Sequence, residues 1–185
     1  MKKLLVDCDG VVSNFVLEVA NTFRLPPTFQ PSGWEIWSDC KVSETAFWET
    51  IRAMGTDFWE WMEEYETASI FMKSLKSVCP NIFLCSSPVK DEAAYAGRAA
   101  WSLHTSFEHS GLLLVDAKSK FADKDTMLID DKVKACKSFV TAGGEAVIYP
   151  RPWNGSVMTD DEGWRFVVAR AMEFCQVPGS QVRLF

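Results

Sequence analysis

Short apolar segments that end abruptly in polar residues recur along the chain. They are Leu4–Val6 before Asp7-Cys8-Asp9-Gly10, Ile82–Cys85 before Ser86-Ser87-Pro88, and Thr126–Ile129 before Asp130-Asp131. Such short apolar runs, bounded by turn residues, are typical of buried strands. In an open parallel sheet, ligands bind at the carboxyl ends of the strands. The pattern therefore predicts one site to which two strand ends contribute paired acids and a third contributes hydroxyl groups.

Strand-like and helix-like segments alternate, which predicts an α/β fold with a Rossmann-like, mainly parallel sheet flanked by helices. The predicted strands are Lys2–Val6, Asn81–Cys85, Leu112–Val115, Thr126–Ile129 and Ala146–Ile148. Helices are expected at about 14–23, capped by Ser13, at 91–104 and at 132–142, where Gly143-Gly144 is a stop signal. A last helix carries an apolar face at helical spacing, formed by Trp164, Val167, Val168, Ala171, Met172 and Cys175.

A separate segment interrupts this alternation after the first strand and helix. Pro26, Pro27 and Pro31 break the chain, and the sequence from Trp34 to about Leu75 is helical, with a break near Gly55 and no clear strand. At 185 residues the chain fits one domain with a small insertion. We therefore predict an α/β core formed by residues 1–25 and 76–185 and a helical cap formed by residues 26–75.

Composition narrows the class of protein. Hydrophobic residues make up 48% of the chain, enough for a sizeable core, and the net charge of −6 argues against a nucleic-acid partner. The apolar run that follows Met1-Lys2-Lys3 is too short for a signal peptide or a membrane span, so the expected location is the cytoplasm, with no membrane partner. The six cysteines form no C-x-x-C pair, which favours a reduced compartment.

The spacing of the first two acids suits a catalytic site. Asp7 and Asp9 stand two residues apart, so in an extended chain they face the same side, and Gly10 permits a tight turn after them. Like charges grouped at strand ends are unfavourable unless a cation or hydrogen bonds compensate them. Because Mg²⁺ prefers oxygen ligands, the pattern indicates a magnesium-assisted site.

Together these segments resemble the motifs of the haloacid dehalogenase-like (HAD) superfamily of phosphotransferases. Asp7-Cys8-Asp9-Gly10-Val11-Val12 matches the first motif, Ser86 the second, a lysine between Lys118 and Lys124 the third, and Asp130-Asp131 the fourth. The resemblance extends from Lys2 to about Asn154. Within the superfamily, the stretch from Asp7 to Phe15 and Ser86-Ser87-Pro88 are most similar to the 5'(3')-deoxyribonucleotidase group.

The resemblance implies a role for each matched residue. Asp7 is expected to attack phosphorus and form an aspartyl-phosphate, and Asp9 to act as general acid and base. Ser86 would bind the phosphoryl group, with Ser87 as a second contact. Lys120 is the expected motif lysine because it stands ten residues before Asp130. Lys118 is the alternative, and Lys124 lies too close to the following strand.

The same resemblance implies that Mg²⁺ is bound by the Asp7 carboxylate, the Asp9 carbonyl and Asp131. Asp130 would orient a water or the motif lysine, although the sequence leaves open which of the two adjacent acids contacts the metal. A purely structural alternative for Asp130 is to cap the helix that begins near Lys132.

The insertion is rich in aromatic residues, which are Trp34, Trp37, Phe47, Trp48, Phe58, Trp59 and Trp61. Aromatic faces can stack on a nucleobase. By resemblance, Phe15 after the first motif and Phe58 and Trp59 in the cap are expected to hold the base. The alternative is that they form the core of the cap. Asn14 stands where relatives often have an acid.

The sequence thus predicts a hydrolase: a magnesium-dependent nucleoside monophosphatase that favours deoxyribonucleotides. Alternatives are a phosphatase for another small phosphomonoester or a 3'-phosphate end, and a catalytically silent binding module. Because dehalogenases lack the second acid of the first motif, Asp9 argues against carbon–halogen chemistry. The aromatic surface of the cap is also suited to a homodimer contact.

Overall fold

A computed structural model describes residues 1–175 of the chain, and its centre is a five-stranded sheet. Every strand pairs in parallel, in the spatial order β3-β2-β1-β4-β5. The strands are β1 (Lys3–Val6), β2 (Ile82–Ser86), β3 (Leu112–Leu114), β4 (Thr126–Asp130) and β5 (Glu145–Ile148). This arrangement confirms the predicted α/β fold with a parallel sheet.

Helices connect and flank the strands. They are α1 (Phe15–Thr22), α2 (Ile36–Asp39), α3 (Glu44–Met54), α4 (Asp57–Glu60), α5 (Ala68–Val78), α6 (Glu92–Leu103), α7 (Val133–Thr141) and α8 (Asp160–Cys175). Within residues 1–175, none of these helices has both the length and the apolar character needed to span a membrane. Residues 176–185 of the predicted core lie outside the described part.

Apolar side chains cover both faces of the sheet, as expected for parallel strands with helices on each side. Leu4 and Val6 point into the larger core, whereas Leu5 packs on the opposite face with Leu128 and with Phe139 of α7. This alternation follows from the two-residue period of a strand. The face with Leu4 also receives α5 and α8, which pack against each other.

The pairing register brings the polar strand ends together. Val6 pairs with Ile129 of β4 and with Leu84 of β2. The next residues, Asp7 and Asp130, are therefore level with each other at the carboxyl edge of the sheet. A shift of one residue would move one of these carboxylates to the other face. The site geometry thus depends on strand register.

The segment between α1 and β2 is helical, as predicted, and contains α2 to α5. Helix α3 ends at Gly55, where φ is +65°. Helix α4 packs against α6, whereas α5 packs against α8 and crosses the predicted boundary between residues 75 and 76. The division into core and cap remains a prediction.

One predicted helix cap is wrong. The side chain of Asn14, and not that of Ser13, accepts a hydrogen bond from the Leu17 N–H (3.1 Å) at the start of α1. Ser13 is buried, and its hydroxyl bonds to Asp9 instead. In α8, the predicted apolar face is confirmed because Trp164, Val167 and Ala171 are buried.

Candidate active site

The loop after β1 turns tightly around one carbonyl group. The Cys8 carbonyl accepts hydrogen bonds from the N–H groups of Val11 (3.2 Å), Val12 (3.0 Å) and Ser13 (2.8 Å). Gly10 adopts a φ of +79° within this turn, a conformation that glycine reaches without strain. The turn places Asp7 and Asp9 at the mouth of the same cleft.

Asp7 lies in a buried ion-pair network. Lys118 Nζ is 2.6 Å from Asp7 Oδ1 and 2.6 Å from Asp130 Oδ2. Asp7 Oδ1 also accepts the N–H of Cys8 at 2.8 Å. Every hydrogen bond or ion pair that the described residues give the Asp7 side chain ends on Oδ1, so Oδ2 is available for chemistry.

Of the two candidate lysines, the structure brings Lys118, and not the favoured Lys120, next to the acids. Lys118 begins a single 3-10 turn, Lys118–Phe121, and its side chain is buried between Asp7 and Asp130. Two residues along the same turn, Lys120 is exposed and does not line the cleft.

The second acid of the fourth motif, Asp131, is held by groups from the loop after β5. Trp153 Nε1 donates to Asp131 Oδ2 (2.7 Å), and Asn154 Nδ2 donates to the Asp131 backbone carbonyl (2.9 Å). Gly10 leaves room for this carboxylate: a Cβ added at Gly10 would lie 2.7 Å from Asp131 Cγ and would overlap Oδ2. These contacts fix Asp131 beside the loop that carries Asp7.

Asp130 contacts the buried lysine but does not cap α7, whose N-terminus has no side-chain cap hydrogen bond. Its Oδ2 pairs with Lys118, and its Oδ1 accepts the backbone N–H of Lys132 (2.7 Å) just before α7. Because both oxygens already have partners, Asp131 is the better candidate of the two for a metal ligand.

Burial and mutual repulsion perturb the acids of this cluster. Burial, and then the charge of Asp130, raise the pKa of Asp7 well above its usual value. The same two causes raise the pKa of Asp131 to about 7. Burial alone would lower the pKa of Lys118, but Asp7 and Asp130 outweigh it and raise that pKa above its usual range. Lys118 is therefore a permanent cation between two carboxylates.

The cluster has the donor set of a divalent-cation site. Asp7, Asp130 and Asp131 each offer a carboxylate oxygen, and these oxygens all lie within 4.8 Å of one another. With Asp9, four carboxylates face only two paired cations, Lys118 and Arg98, which leaves two negative charges when all are ionised. Because the ligands are all oxygens, the chemistry matches Mg²⁺ and not a soft metal.

Asp9 belongs to a different network from Asp7. Its Oδ1 accepts hydrogen bonds from the Ser13 hydroxyl (3.1 Å) and from Arg98 Nη2. Arg98, on α6, is completely buried. The two acids of the first motif are thus held by two different cations.

The cleft beside these acids has a volume of about 410 Å³. Ser86 and Ser87, at the end of β2, both line it, as predicted for the second motif. Ser86 is buried and Ser87 is exposed. The opposite side is formed by the start of α7, where Lys132 and Lys134 line the cleft.

The predicted base-binding aromatics are not all accessible. Phe58 is 0% exposed and Trp59 is 3% exposed, because α4 packs tightly against α6. Both rings pack against Phe15: the ring centroid of Phe58 lies 5.8 Å, and that of Trp59 6.2 Å, from the centroid of Phe15. The assignment of Phe58 and Trp59 as base contacts is therefore corrected: they are core residues.

Trp34 lines the main cleft, and Phe15 lies in a smaller pocket beside it. Trp34 is 42% exposed, and Lys132 Nζ lies 5.4 Å from its ring centroid. Phe15, Trp34 and Trp153 line this smaller apolar pocket of about 90 Å³, which shares Asp9, Trp34 and Asp131 with the main cleft.

Sequence reasoning missed Arg98 and Trp153. Arg98 had a signal: it falls in the buried stripe of α6, together with Ala94, Gly97 and Trp101, where a charged residue is unusual. Trp153 had none, because its bond to Asp131 depends on the path of the loop after β5.

Several solved structures share this fold at low sequence identity. A HAD family hydrolase from Deinococcus radiodurans R1, solved with bound phosphate and sodium, is 14% identical, with 92% of this chain and 96% of that chain covered and a TM-score of 0.55. An L-2-haloacid dehalogenase is 12% identical, with 88% and 90% covered and a TM-score of 0.53. A further dehalogenase is 12% identical, with 90% and 96% covered and a TM-score of 0.53.

No protein-family model matches the chain, and no curated protein matches its sequence. The structural likeness extends over most of this chain and of each neighbour, so it concerns the whole architecture and not one βαβ unit. The chain therefore has the fold of the haloacid dehalogenase-like hydrolases.

Proposed function

We propose that this protein is a magnesium-dependent phosphatase that hydrolyses nucleoside monophosphates, with deoxyribonucleotides preferred, through an aspartyl-phosphate. One observation carries the proposal. Asp7 is fixed through Oδ1 by Lys118 and the Cys8 N–H, while its Oδ2 has no partner among the described residues and belongs to a side chain that lines the cleft. This is the arrangement that an in-line carboxylate nucleophile requires.

The neighbouring residues supply the remaining functions. Asp7 Oδ2 attacks phosphorus, Ser86 donates its hydroxyl to a phosphoryl oxygen, and Lys118 offsets the charge on the transferring group. Asp9 protonates the leaving oxygen and later accepts a proton from the attacking water. Asp7 and Asp131, with the Asp9 carbonyl, would hold Mg²⁺, which neutralises phosphoryl charge when bound.

The substrate assignment rests on the apolar pocket beside the acids. Phe15 and Trp34 line a pocket that is contiguous with the carboxylate cleft, so a ligand whose phosphate lies at Asp7 can place a flat apolar group there. A nucleobase is such a group, and stacking of a base on an aromatic ring contributes roughly 1–3 kcal/mol.

The first experiment measures phosphate release from ribo- and deoxyribonucleoside monophosphates, 3'-phosphorylated ends and phosphosugars, with Mg²⁺ and with EDTA. We expect Mg²⁺-dependent release that favours nucleotides and is lost in Asp7→Asn. The exposed Asp161→Asn on α8 is the matched control and should retain full activity. Release only from other esters would refute the nucleotide assignment, and no release from any ester would favour a binding module.

The second experiment tests Trp34. Trp34→Ala should raise KM for nucleotides by roughly 5- to 150-fold, the equivalent of one lost stacking contact. Its KM for ribose 5-phosphate should not change. Trp61→Ala is the control, because Trp61 is the other strongly exposed tryptophan of the insertion and stacks on His104, away from the cleft. Equal effects of the two variants would contradict base stacking on Trp34.

A further inference from the structure

Arg98 is a charged residue in an unusual position. It is 0% exposed, although the side chain of its partner Asp9 is 30% exposed at the cleft. Nη2 bonds to Asp9 Oδ1, and Nη1 bonds to the Ser13 oxygen (3.1 Å), while the Ser13 hydroxyl donates to the same Asp9 oxygen (3.1 Å). The three side chains thus form a closed network around one oxygen of Asp9.

Burial of a guanidinium group is costly unless it is paired. Arg98 is only partly compensated, because its Nε has no hydrogen-bond partner among residues 1–175. Two indole rings provide further contacts: the guanidinium carbon lies 5.0 Å from the Trp101 ring centroid and 5.8 Å from that of Trp59. An apolar residue would avoid this desolvation, so the charge itself is the feature to explain.

The surroundings hold Arg98 in place. A Cβ added at Gly97 would lie 2.5 Å from the Thr56 carbonyl oxygen and 2.6 Å from Trp59 Cβ, so α4 approaches α6 closely at this point. Trp101 Nε1 also donates to the Met62 carbonyl (2.8 Å). Arg98 is therefore a fixed cation on a packed helix and not a mobile surface arginine.

The network leaves Asp9 with one engaged and one available oxygen. Every hydrogen bond that the described residues give the Asp9 side chain ends on Oδ1. Oδ2 can therefore exchange a proton with a ligand in the cleft while Oδ1 stays anchored. A proton donor needs such a defined position, because proton transfer occurs only within hydrogen-bond reach.

We propose that Arg98 is the positioning residue for Asp9 and acts with Ser13 to aim Asp9 Oδ2 at the leaving-group oxygen. This inference rests on the proposed phosphatase function. In the first step the Asp7–phosphorus bond forms, the bond to the leaving oxygen breaks, and that oxygen takes the proton from Asp9 Oδ2. In the second step water attacks phosphorus, the bond to Asp7 breaks, and a water proton returns to Asp9. The ester and water thus give alcohol and phosphate.

The role predicts a dependence on the leaving group. An alkyl ester such as a nucleoside 5'-monophosphate needs protonation of its leaving oxygen, whereas p-nitrophenyl phosphate does not. Arg98→Met should lower kcat for the alkyl ester by up to roughly 10²–10⁴-fold, the usual contribution of a positioned acid. The loss with p-nitrophenyl phosphate should be at least tenfold smaller. Equal losses with both esters would overturn the proposal.

A double-variant test separates action through Asp9 from other effects. If Arg98 acts only through Asp9, Asp9→Asn/Arg98→Met should be no slower than Asp9→Asn alone with the alkyl ester. A double variant in which the rate losses of the two single substitutions multiply would overturn the proposal. Arg98→Lys, which keeps a cation, should recover part of the lost rate.

A milder variant and a control guard against a simple folding defect. Ser13→Ala removes the other donor to Asp9 Oδ1 and should show the same leaving-group pattern at smaller amplitude. Arg52→Met is the control, because Arg52 is half exposed and lies 4.0 Å from Asp91 at the start of the same helix. It should leave both rates unchanged. A Ser13→Ala variant that affects both esters equally would count against the proposal.

Failure of the proposed function can be distinguished from failure of this inference. If wild-type protein hydrolyses no ester, the phosphatase assignment fails, and the positioning role is then judged from crystal structures of wild type and Arg98→Met. We expect the Asp9 carboxylate to leave its place in the variant. An unchanged Asp9 side chain would overturn the positioning role whatever the activity.

Discussion

Replacement of Lys118 by methionine tests the central ion-pair network. Methionine keeps the length of the apolar stem but removes the charge that lies 2.6 Å from both Asp7 and Asp130. Removal of one partner from a buried ion pair costs about 3–5 kcal/mol, because the other charges remain buried and unpaired. For a chain of this size, that corresponds to a decrease in Tm of roughly 6–20 °C.

Activity should fall as well. Loss of one preorganised group that stabilises developing charge costs roughly 10²–10³ in kcat. Differential scanning calorimetry in EDTA gives the stability change, and phosphate release with Mg²⁺ gives the rate. The matched control is Lys120→Met, two residues along the same turn, whose side chain is exposed. We expect its Tm and kcat to equal those of the wild type.

The destabilisation by Lys118→Met should also depend on pH. Lys118 has a raised pKa, so its stabilising effect is complete below the usual lysine pKa and is lost only as the pH rises through the higher folded value. The wild-type contribution is therefore constant from about pH 5 to about pH 8. In the variant, Asp7 can take up a proton at acidic pH because its pKa is raised, which relieves the repulsion. The loss in Tm should be larger at the higher pH.

Two outcomes would refute the assignment of Lys118 as the central cation of the network. They are wild-type stability and rate in Lys118→Met, and an equal loss in Lys120→Met.

Three further substitutions test the surroundings of Asp131. Gly10→Ala should reduce both Tm and Mg²⁺ affinity, whereas Gly155→Ala, with φ +84° and no atom within 4 Å of its added Cβ, should lower Tm alone. In EDTA, Asp131 has a pKa of about 7 in the folded protein against its usual value of 3.8. The stability of the wild type should therefore fall as the pH rises from 3.8 to about 7, because the folded protein holds this proton more tightly than the unfolded chain. Asp131→Asn should reduce that fall in thermal melts, with the remainder due to Asp7, whose pKa is also raised, and Mg²⁺ should stabilise only the wild type. Trp153→Phe should weaken Mg²⁺ binding, measured by calorimetry, by roughly 10- to 100-fold, the usual effect of a lost outer-shell partner.

The fold followed from the sequence because parallel strands are buried on both faces. Such strands form apolar runs that stop where the chain leaves the core, and the observed strands begin and end within one or two residues of the predicted positions. The carboxyl-edge cluster followed from the same rule. Asp7 and Asp130 come directly after or at the end of neighbouring strands, so the register alone brings them level.

The choice of lysine could not be made by counting residues. Lys118 and Lys120 belong to the same short 3-10 turn, and side chains two residues apart on such a turn point in different directions. Which one enters the site depends on where β3 ends and how the turn packs on α7. Spacing to Asp130 therefore identified the turn that lies beside the acids, but not which lysine of that turn contacts them.

The aromatic residues of the insertion show a second limit of sequence reasoning. Phe58, Trp59 and Trp34 have the same chemical character, yet the first two are buried and the third is exposed at the cleft. The difference arises because Gly97 of α6 allows α4 to pack closely, which covers Phe58 and Trp59. That contact joins residues about forty positions apart, and no local pattern encodes it.

Asp7 and Asp9 are held by separate ion pairs, and in the proposed mechanism these two neighbouring carboxylates perform different tasks. Asp7 is tied to Lys118 on the sheet side, whereas Asp9 is tied to Arg98 on the side of α6 and the insertion. In the proposed mechanism, each acid is therefore held by a cation of its own, Asp7 as the nucleophile and Asp9 as the proton donor. If that mechanism holds, the insertion contributes to the chemistry through its packing on α6 as well as through Trp34, which lines the cleft.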